Sequence, residues 1–219
     1  MSPAVIQLIV LAAIAVFLFI RLKNVLGTRE GFEPKTDPTT KPNEAKGPSL
    51  EIIEGGLDRD ITDHVEMDSP EGQAFAKMKK AELGFSVNEF LGGSRQAYEM
   101  ILMAFEGDDL ETLKQFLSDD VYDSFSSVIT ARQEAGLKVN ATFVGVREMK
   151  VTGAKFNGRN KEGEITMRFV GEIVSYVEDE TGKIIEGNRD VIKRQIDIWT
   201  FARKFGRDDP NWALVSTGG

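Results

Sequence analysis

Residues 164–177, EITMRFVGEIVSYV, alternate between apolar and polar side chains along a continuous stretch. A period of two places successive side chains on opposite faces, which is typical of a half-buried β-strand. Ile165, Met167 and Phe169 fall on one face, whereas Arg168 falls on the other. The pattern therefore predicts a strand of an antiparallel sheet that is covered on one side only.

Further strands are predicted on both sides of this one. Residues 138–155 are rich in valine and phenylalanine, and a slip in their alternation near Arg147 and Glu148 indicates a β-bulge. Residues 189–204 predict a long strand, and residues 212–215 a short one. The turn-forming residues between these stretches predict hairpin connections and an antiparallel sheet.

The chain before these strands has helical periodicity instead. Ser69 followed by Pro70 is typical of a helix start. We expect four helices, over residues 71–83, 86–106 with a break at Gly92 and Gly93, 110–117, and from Ser118 to Gly136. Helices first and strands after predict an α+β domain over residues 70–219.

The amino-terminal stretch 3–20, PAVIQLIVLAAIAVFLFI, is long and apolar enough for a transmembrane helix. A signal peptide would carry basic residues ahead of the apolar run, and none is found there. A cleaved leader and a buried core helix stay the alternatives. Arg21, Lys23 and Arg29 follow it. The positive-inside rule then predicts a single-pass anchor over residues 1–27, with the remaining chain in the cytoplasm.

Residues 28–69 are predicted to be a flexible acidic linker. They contain four prolines and few large apolar side chains, so little surface is available to offset the entropy of ordering. The one histidine, His64, lies in this stretch and is expected to be solvated.

Composition argues against several classes of function. The chain has no cysteine, one histidine and a net charge of −8. Disulfides, His-based catalytic triads and ordinary zinc sites are therefore excluded, and nucleic acid is not expected as a partner. No phosphate-binding glycine loop is found. We expect no enzymatic activity, no cofactor and no metal site.

Two sets of residues are candidates for binding. The first lies on the helix over residues 71–83, which combines apolar and basic side chains that suit a membrane surface or a partner: Phe75, Lys77, Met78, Lys79 and Lys80. Docking of this helix on its own domain is the alternative. The second is an aromatic set that would line a pocket between helices and sheet, or else simply fill the core: Tyr98, Phe105, Phe125, Phe169 and Trp199.

The order and spacing of many residues resemble a known family, the Tim44-like family of the mitochondrial import-motor anchor. In the helical half these residues are Phe90, Leu91, Ala97, Tyr98, Ile101, Phe105, Gly107, Asp108, Leu113, Leu117, Val121, Tyr122 and Phe125. In the sheet half they are Trp199, Thr200, Phe201, Asp209, Pro210, Asn211, Trp212, Leu214 and Val215. The resemblance covers about residues 70–217, and the apolar start with Arg21 and Lys23 resembles the bacterial members.

The resemblance implies helices on a curved antiparallel sheet, similar to nuclear-transport-factor-two-like cones with an apolar pocket. It also implies attachment to an inner membrane, with a contact on the segment of Phe75, Met78, Lys79 and Lys80. The long charged region through which the mitochondrial protein engages its partners has no counterpart here. We therefore expect a non-enzymatic adaptor at the bacterial inner membrane that binds a protein partner.

Protein translocation, chaperone recruitment and membrane biogenesis are the processes in which such an adaptor is expected. Anionic lipid is a further expected partner. The alternative function is a lipid- or small-ligand-binding module that uses the apolar pocket.

Overall fold

A computed structural model describes residues 58–207 and 209–218. Five helices come first in this part of the chain: α1 (Arg59–Thr62), α2 (Pro70–Ala81), α3 (Val87–Glu106), α4 (Leu110–Phe116) and α5 (Asp119–Glu134). Five strands follow: β1 (Lys138–Asn157), β2 (Glu162–Glu178), β3 (Ile184–Gly187), β4 (Lys193–Lys204) and β5 (Ala213–Thr217). The α+β class is therefore confirmed.

The strands form one antiparallel sheet in the order β1-β2-β4-β5, and the short β3 pairs with the end of β2. Ile165, Met167 and Phe169 are fully buried, as the alternation along β2 predicts. The predicted bulge near Arg147 is confirmed as a register shift between Val146 and Glu148, one of three such shifts in the β1–β2 pairing. Bulges increase local bend and twist, which curves the sheet toward its helices.

Helix α3 is continuous across Gly92 and Gly93, so the predicted break is wrong. Its amino terminus is capped by Ser86, whose hydroxyl accepts a hydrogen bond from the amide of Glu89. The apolar residues on both sides of the glycines pack on the sheet, and this packing outweighs the low helix propensity of glycine. Strand β3 was not predicted, because its four residues carry too little alternation to be recognised.

The predicted linker over residues 28–69 is wrong for the part that the structure describes, since α1 (Arg59–Thr62) lies within it and packs on the domain. Ile61 on α1 is 1% exposed and belongs to the core. The Asp60 carboxylate accepts hydrogen bonds from Ser86 Oγ at 2.9 Å and from the Val87 amide at 2.8 Å. His64 is half-buried and lies 2.8 Å from the Asn88 side chain, rather than in solvent. Composition alone did not reveal these contacts, because most residues of this stretch are polar.

Asp60 also lies 2.8 Å from Lys79 Nζ. Partial burial acts to raise the pKa of Asp60, but the hydrogen bonds from Lys79, Asn88, Val87 and Ser86 outweigh it and hold the pKa well below its usual range. The ionised carboxylate therefore fastens α1 to the start of α3.

The predicted anchor over residues 1–27 lies outside the described residues. Within them, no helix has the length and apolar character needed to cross a bilayer.

The Asp60 contacts predict a specific acid dependence of stability. Replacing Asp60 by Asn should lower the free energy of unfolding at neutral pH by roughly 1–3 kcal/mol, since a cap and an ion pair are lost. Because the folded state lowers the Asp60 pKa, its stabilisation is complete above the unfolded value of about 4 and is lost as the pH falls further. The difference in unfolding free energy between wild type and Asp60→Asn should therefore become smaller at acid pH.

Urea denaturation at several pH values measures this difference. Asp63→Asn, at an exposed neighbouring position, is the matched control and should change stability little at any pH. A difference for Asp60→Asn that stays constant from neutral to strongly acid pH would contradict the role assigned to the Asp60 charge.

Candidate binding cleft

The structure divides the predicted contact residues of α2 into two groups. Phe75 and Met78 are fully buried, so the prediction that they contact a membrane or partner is wrong and the docking alternative is correct. Lys79 lies 2.8 Å from carboxylate oxygens of Asp58 and of Asp60. Burial acts to lower the Lys79 pKa, but these two partners raise it on balance. Lys77 and Lys80 are exposed, and a binding role for them stays a prediction.

The predicted aromatic pocket is filled. Tyr98 stacks on Phe169 at 4.4 Å between ring centroids and lies 4.7 Å from Trp199, and all three are buried. Their rings pack on one another, so the prediction that they line an open pocket is wrong. Phe105 and Phe125 form a separate, half-buried pair at 4.7 Å.

The Tyr98 hydroxyl donates a hydrogen bond to Asp197 Oδ2 at 2.6 Å. Burial, together with the nearby carboxylate, raises the pKa of Tyr98 well above its usual range. Gln195 Nε2 donates to the same carboxylate oxygen at 2.8 Å. The phenol is therefore held neutral and serves as a fixed donor that joins α3 to β4.

An open cleft of about 400 Å³ lies elsewhere, between α3, the end of α4, strand β4 and residues 210–212. Aromatic side chains form its floor. The ring centroid of Phe90 lies 4.7 Å from that of Trp212 and 6.1 Å from that of Phe201. The rings are tilted and edge-on, which are favourable geometries for aromatic pairs. Phe116 from α4 also lines the cleft.

Helical spacing brings one face of α3 to this cleft. Phe90, Gly93, Ala97 and Met100 are three or four residues apart and all line it. A Cβ built at Gly93 would meet none of the described atoms within 4 Å, so the small residues leave open space along the helix. Met100 remains 42% exposed at this wall.

A buried cation forms the opposite wall. The Arg203 side chain is 8% exposed, and its Nη2 donates to Glu82 Oε1 at 2.8 Å. The guanidinium carbon lies 4.3 Å from the ring centroid of Phe205 and 5.3 Å from that of Trp212. The guanidinium of Arg203 is thus paired with Glu82 and packs on the faces of two aromatic rings. This packing holds Trp212 against the sheet.

Polar residues surround the apolar floor at the rim: Glu82, Ser86, Glu89, Gln96, Gln115 and Asn211. Leu83, which is 95% exposed, follows Glu82 directly. An apolar floor with a polar rim is the usual arrangement of a binding surface. The sequence analysis did not predict this cleft. Its lining combines α3 with residues 201–212, which lie more than a hundred positions further along the chain.

Comparison with known protein families finds a match over most of this domain. The family model described as the Tim44-like domain matches residues 71–218. The chain belongs to the Tim44-like family. This membership confirms the resemblance found in the sequence.

One relative is the "Mitochondrial import inner membrane translocase subunit TIM44-1" of Arabidopsis thaliana, 24% identical over 162 residues. The match covers 71% of this chain and 34% of the relative, so this Tim44-like chain spans about a third of the relative's length. Among solved structures, the intermembrane space region of the chloroplast protein ARC6 matches at 12% identity with a TM-score of 0.40. That match covers 60% of this chain and 92% of the other.

The Arg203 wall can be tested by substitution. Arg203→Lys keeps the charge but loses the planar stacking on Phe205 and Trp212, and we expect it to cost about 1–3 kcal/mol of unfolding free energy. Trp212 fluorescence should shift to the red as the indole becomes more exposed. Chemical denaturation and emission spectra measure both effects.

Arg207→Lys is the matched control, because that side chain is exposed. Equal stability and unchanged emission for Arg203→Lys would show that the stacking does not hold this wall of the cleft.

Proposed function

We propose that this protein is a membrane-tethered, non-enzymatic adaptor that binds a segment of a partner protein in the cleft between α3 and residues 210–212. The open aromatic floor of the cleft is the observation that carries the proposal. The predicted anchor over residues 1–27 would supply the tether. In this proposal the anchor lies in a bacterial inner membrane and the domain is cytoplasmic.

Family membership supports a partner connected with protein translocation. The relative TIM44-1 is, by its name, a subunit of a translocase at the mitochondrial inner membrane. We extend that connection to this chain as part of the proposal. A partner in transit, or a component that handles it, would present the apolar segment that the cleft accepts.

The charges around the cleft favour a basic partner segment. Residues 58–137, which include the whole helical half, contain seventeen acidic and seven basic side chains. Glu89 is exposed at the rim, and Glu82 is paired with Arg203. An amphipathic helix with apolar side chains on one face and lysine or arginine on its flanks would therefore complement this surface.

The arrangement of the polar groups supports a binding rather than a catalytic role. Arg203 and Glu82 neutralise each other, and the buried Ser94 of the cleft donates its hydroxyl to the Leu91 carbonyl of its own helix. An acid–base pair directed at a substrate position would instead face the interior of the cleft.

One observation favours a second candidate function. A cleft of about 400 Å³ with an aromatic floor is also large enough for the acyl chain of a lipid or for another small apolar ligand. Under this alternative the cleft binds a small molecule, and the protein partner binds elsewhere or not at all.

Trp212 fluorescence separates the two functions, because the indole is half-buried in the cleft wall. The full chain in zwitterionic nanodiscs is titrated with a synthetic amphipathic Leu/Lys helical peptide, and separately with oleate. We expect saturable quenching by the peptide that disappears in Trp212→Phe. Ala97→Glu should abolish the response, because a charged side chain would project into the apolar floor.

Thr130→Glu, at an exposed position of α5, is the matched control and should bind the peptide normally. Saturable quenching by oleate alone would favour the small-ligand function. No response to either probe would contradict both uses of the cleft.

A further inference from the structure

The first half of strand β4 has no neighbouring strand on one side. β2 pairs with β4 along residues 193–204, whereas β5 pairs with residues 199–202 only. In an antiparallel strand, the backbone groups of alternate residues point to opposite sides. Within the described part of the chain, those groups of residues 193–197 that point away from β2 make no backbone hydrogen bond. We call residues 193–197 the open edge.

The open edge lacks the usual protection against pairing with another strand. The outer strand on the other side of the sheet, β1, is interrupted by three register shifts, and such bulges keep an edge from pairing. The pairing of β4 with β2 has no such shift over residues 193–204. Ile196 on the open edge is 56% exposed, and Ile192 just before it is 55% exposed. A regular edge with exposed apolar side chains is a template for a further strand.

Two opposite charges on the open edge lack a partner for each other. Lys193 and Asp197 lie on the same face of β4 but about 13 Å apart, which is too far for an ion pair within one chain. Lys193 forms no ion pair with any residue that the structure describes. Asp197 accepts hydrogen bonds from Tyr98 and Gln195 through Oδ2, which leaves Oδ1 for another donor.

We propose that the open edge is a contact between two copies of this chain, which pair antiparallel about a two-fold axis at Gln195. In this register Lys193 of each copy lies opposite Asp197 of the other, so two ion pairs form across the contact. Arg194 lies opposite Ile196, whose side chain the aliphatic stem of the arginine covers. The two sheets then form one continuous sheet, with the helices of both copies on the same face.

Neighbouring registers are less favourable. Moving the axis to Arg194 places the arginines of the two copies opposite each other, and like charges at opposed positions destabilise a sheet. Moving it to Ile196 places Lys193 opposite Trp199, whose edge already pairs with Thr217 of β5. The proposed axis is therefore the one that pairs the whole open edge and leaves β5 in place.

The contact leaves the cleft accessible. Phe201 and Arg203, which line the cleft, lie near the end of β4 that is remote from the open edge. The inference therefore goes beyond the proposed function and does not depend on what the cleft binds. Because five residues form a small contact, we expect a reversible dimer.

The absence of cysteine from the chain allows a disulfide to report the register. Arg194→Cys and Ile196→Cys are made in separate full chains, one of which carries an added tag, and the two are mixed in a mild detergent and oxidised. Opposed Cβ atoms of paired strands are about 4.5–5.5 Å apart, whereas the two copies of position 194 would be diagonal neighbours at about 7–8 Å. We expect severalfold more of the mixed 194–196 disulfide than of the 194–194 or 196–196 product.

Lys150→Cys is the matched control for position, because Lys150 is exposed on β1. Mixed with Ile196→Cys, it should give only the background yield of disulfide.

A charge-reversed variant tests the ion pairs. Lys193→Glu in both chains should lower the yield of the mixed disulfide severalfold, because a glutamate would then lie opposite Asp197. Lys204→Glu, at an exposed position at the other end of β4, is the matched control and should leave the yield unchanged. The Trp212 response to the peptide, measured on each variant, shows whether the fold and the cleft are intact. A lost disulfide with a retained response therefore counts against the dimer alone.

Two results would overturn the inference. One is a mixed 194–196 disulfide that forms in no greater yield than the Lys150→Cys control, or whose yield Lys193→Glu does not lower. The other is an Ile196→Cys chain that forms its disulfide with an added extended Val/Lys peptide carrying a cysteine, while no 194–196 product is found. That result would assign the open edge to a strand of another protein.

Discussion

The packing of Tyr98 against the sheet is the interaction on which the rest of the domain depends. This residue is fully buried, stacks on Phe169 and donates a hydrogen bond to Asp197, so it joins α3 to β2 and β4 at once. A Cβ at Gly171 would lie 2.4 Å from the Tyr98 hydroxyl oxygen, so the close approach requires glycine at that position of β2. With the Tyr98 face of α3 turned inward, the face that carries Phe90 and Ala97 can form the wall of the cleft.

Much of the fold was predictable, because strands and helix starts are encoded by residues that are close together in the sequence. The alternation along β2 identified the buried face, and Ser69 and Ser86 marked helix starts that the structure confirms. The cleft was not predictable in this way, since its floor joins Phe90 to Trp212 across the whole domain. The predicted pocket had the right kind of side chain but the wrong arrangement, because aromatic residues on facing elements stacked on one another instead of leaving space.

The two ends of the sheet differ in the side chains that they carry. The cleft end has an aromatic floor and the paired Arg203. The other end holds the short strand β3 and its connection to β4, where Ile185, Val191 and Ile192 are exposed.

The attachment of α1 to the start of α3 has a mechanical consequence. Asp58 caps α1. The Asp60 carboxylate accepts hydrogen bonds from Ser86, Val87 and Asn88 at the start of α3, while Lys79 contacts both aspartates. Tension applied ahead of Asp58 is therefore carried by these bonds to the first turn of the helix that forms the cleft wall. Ser86 itself lines the cleft. A pull on the chain ahead of α1 would load the mouth of the cleft together with the core residue Ile61.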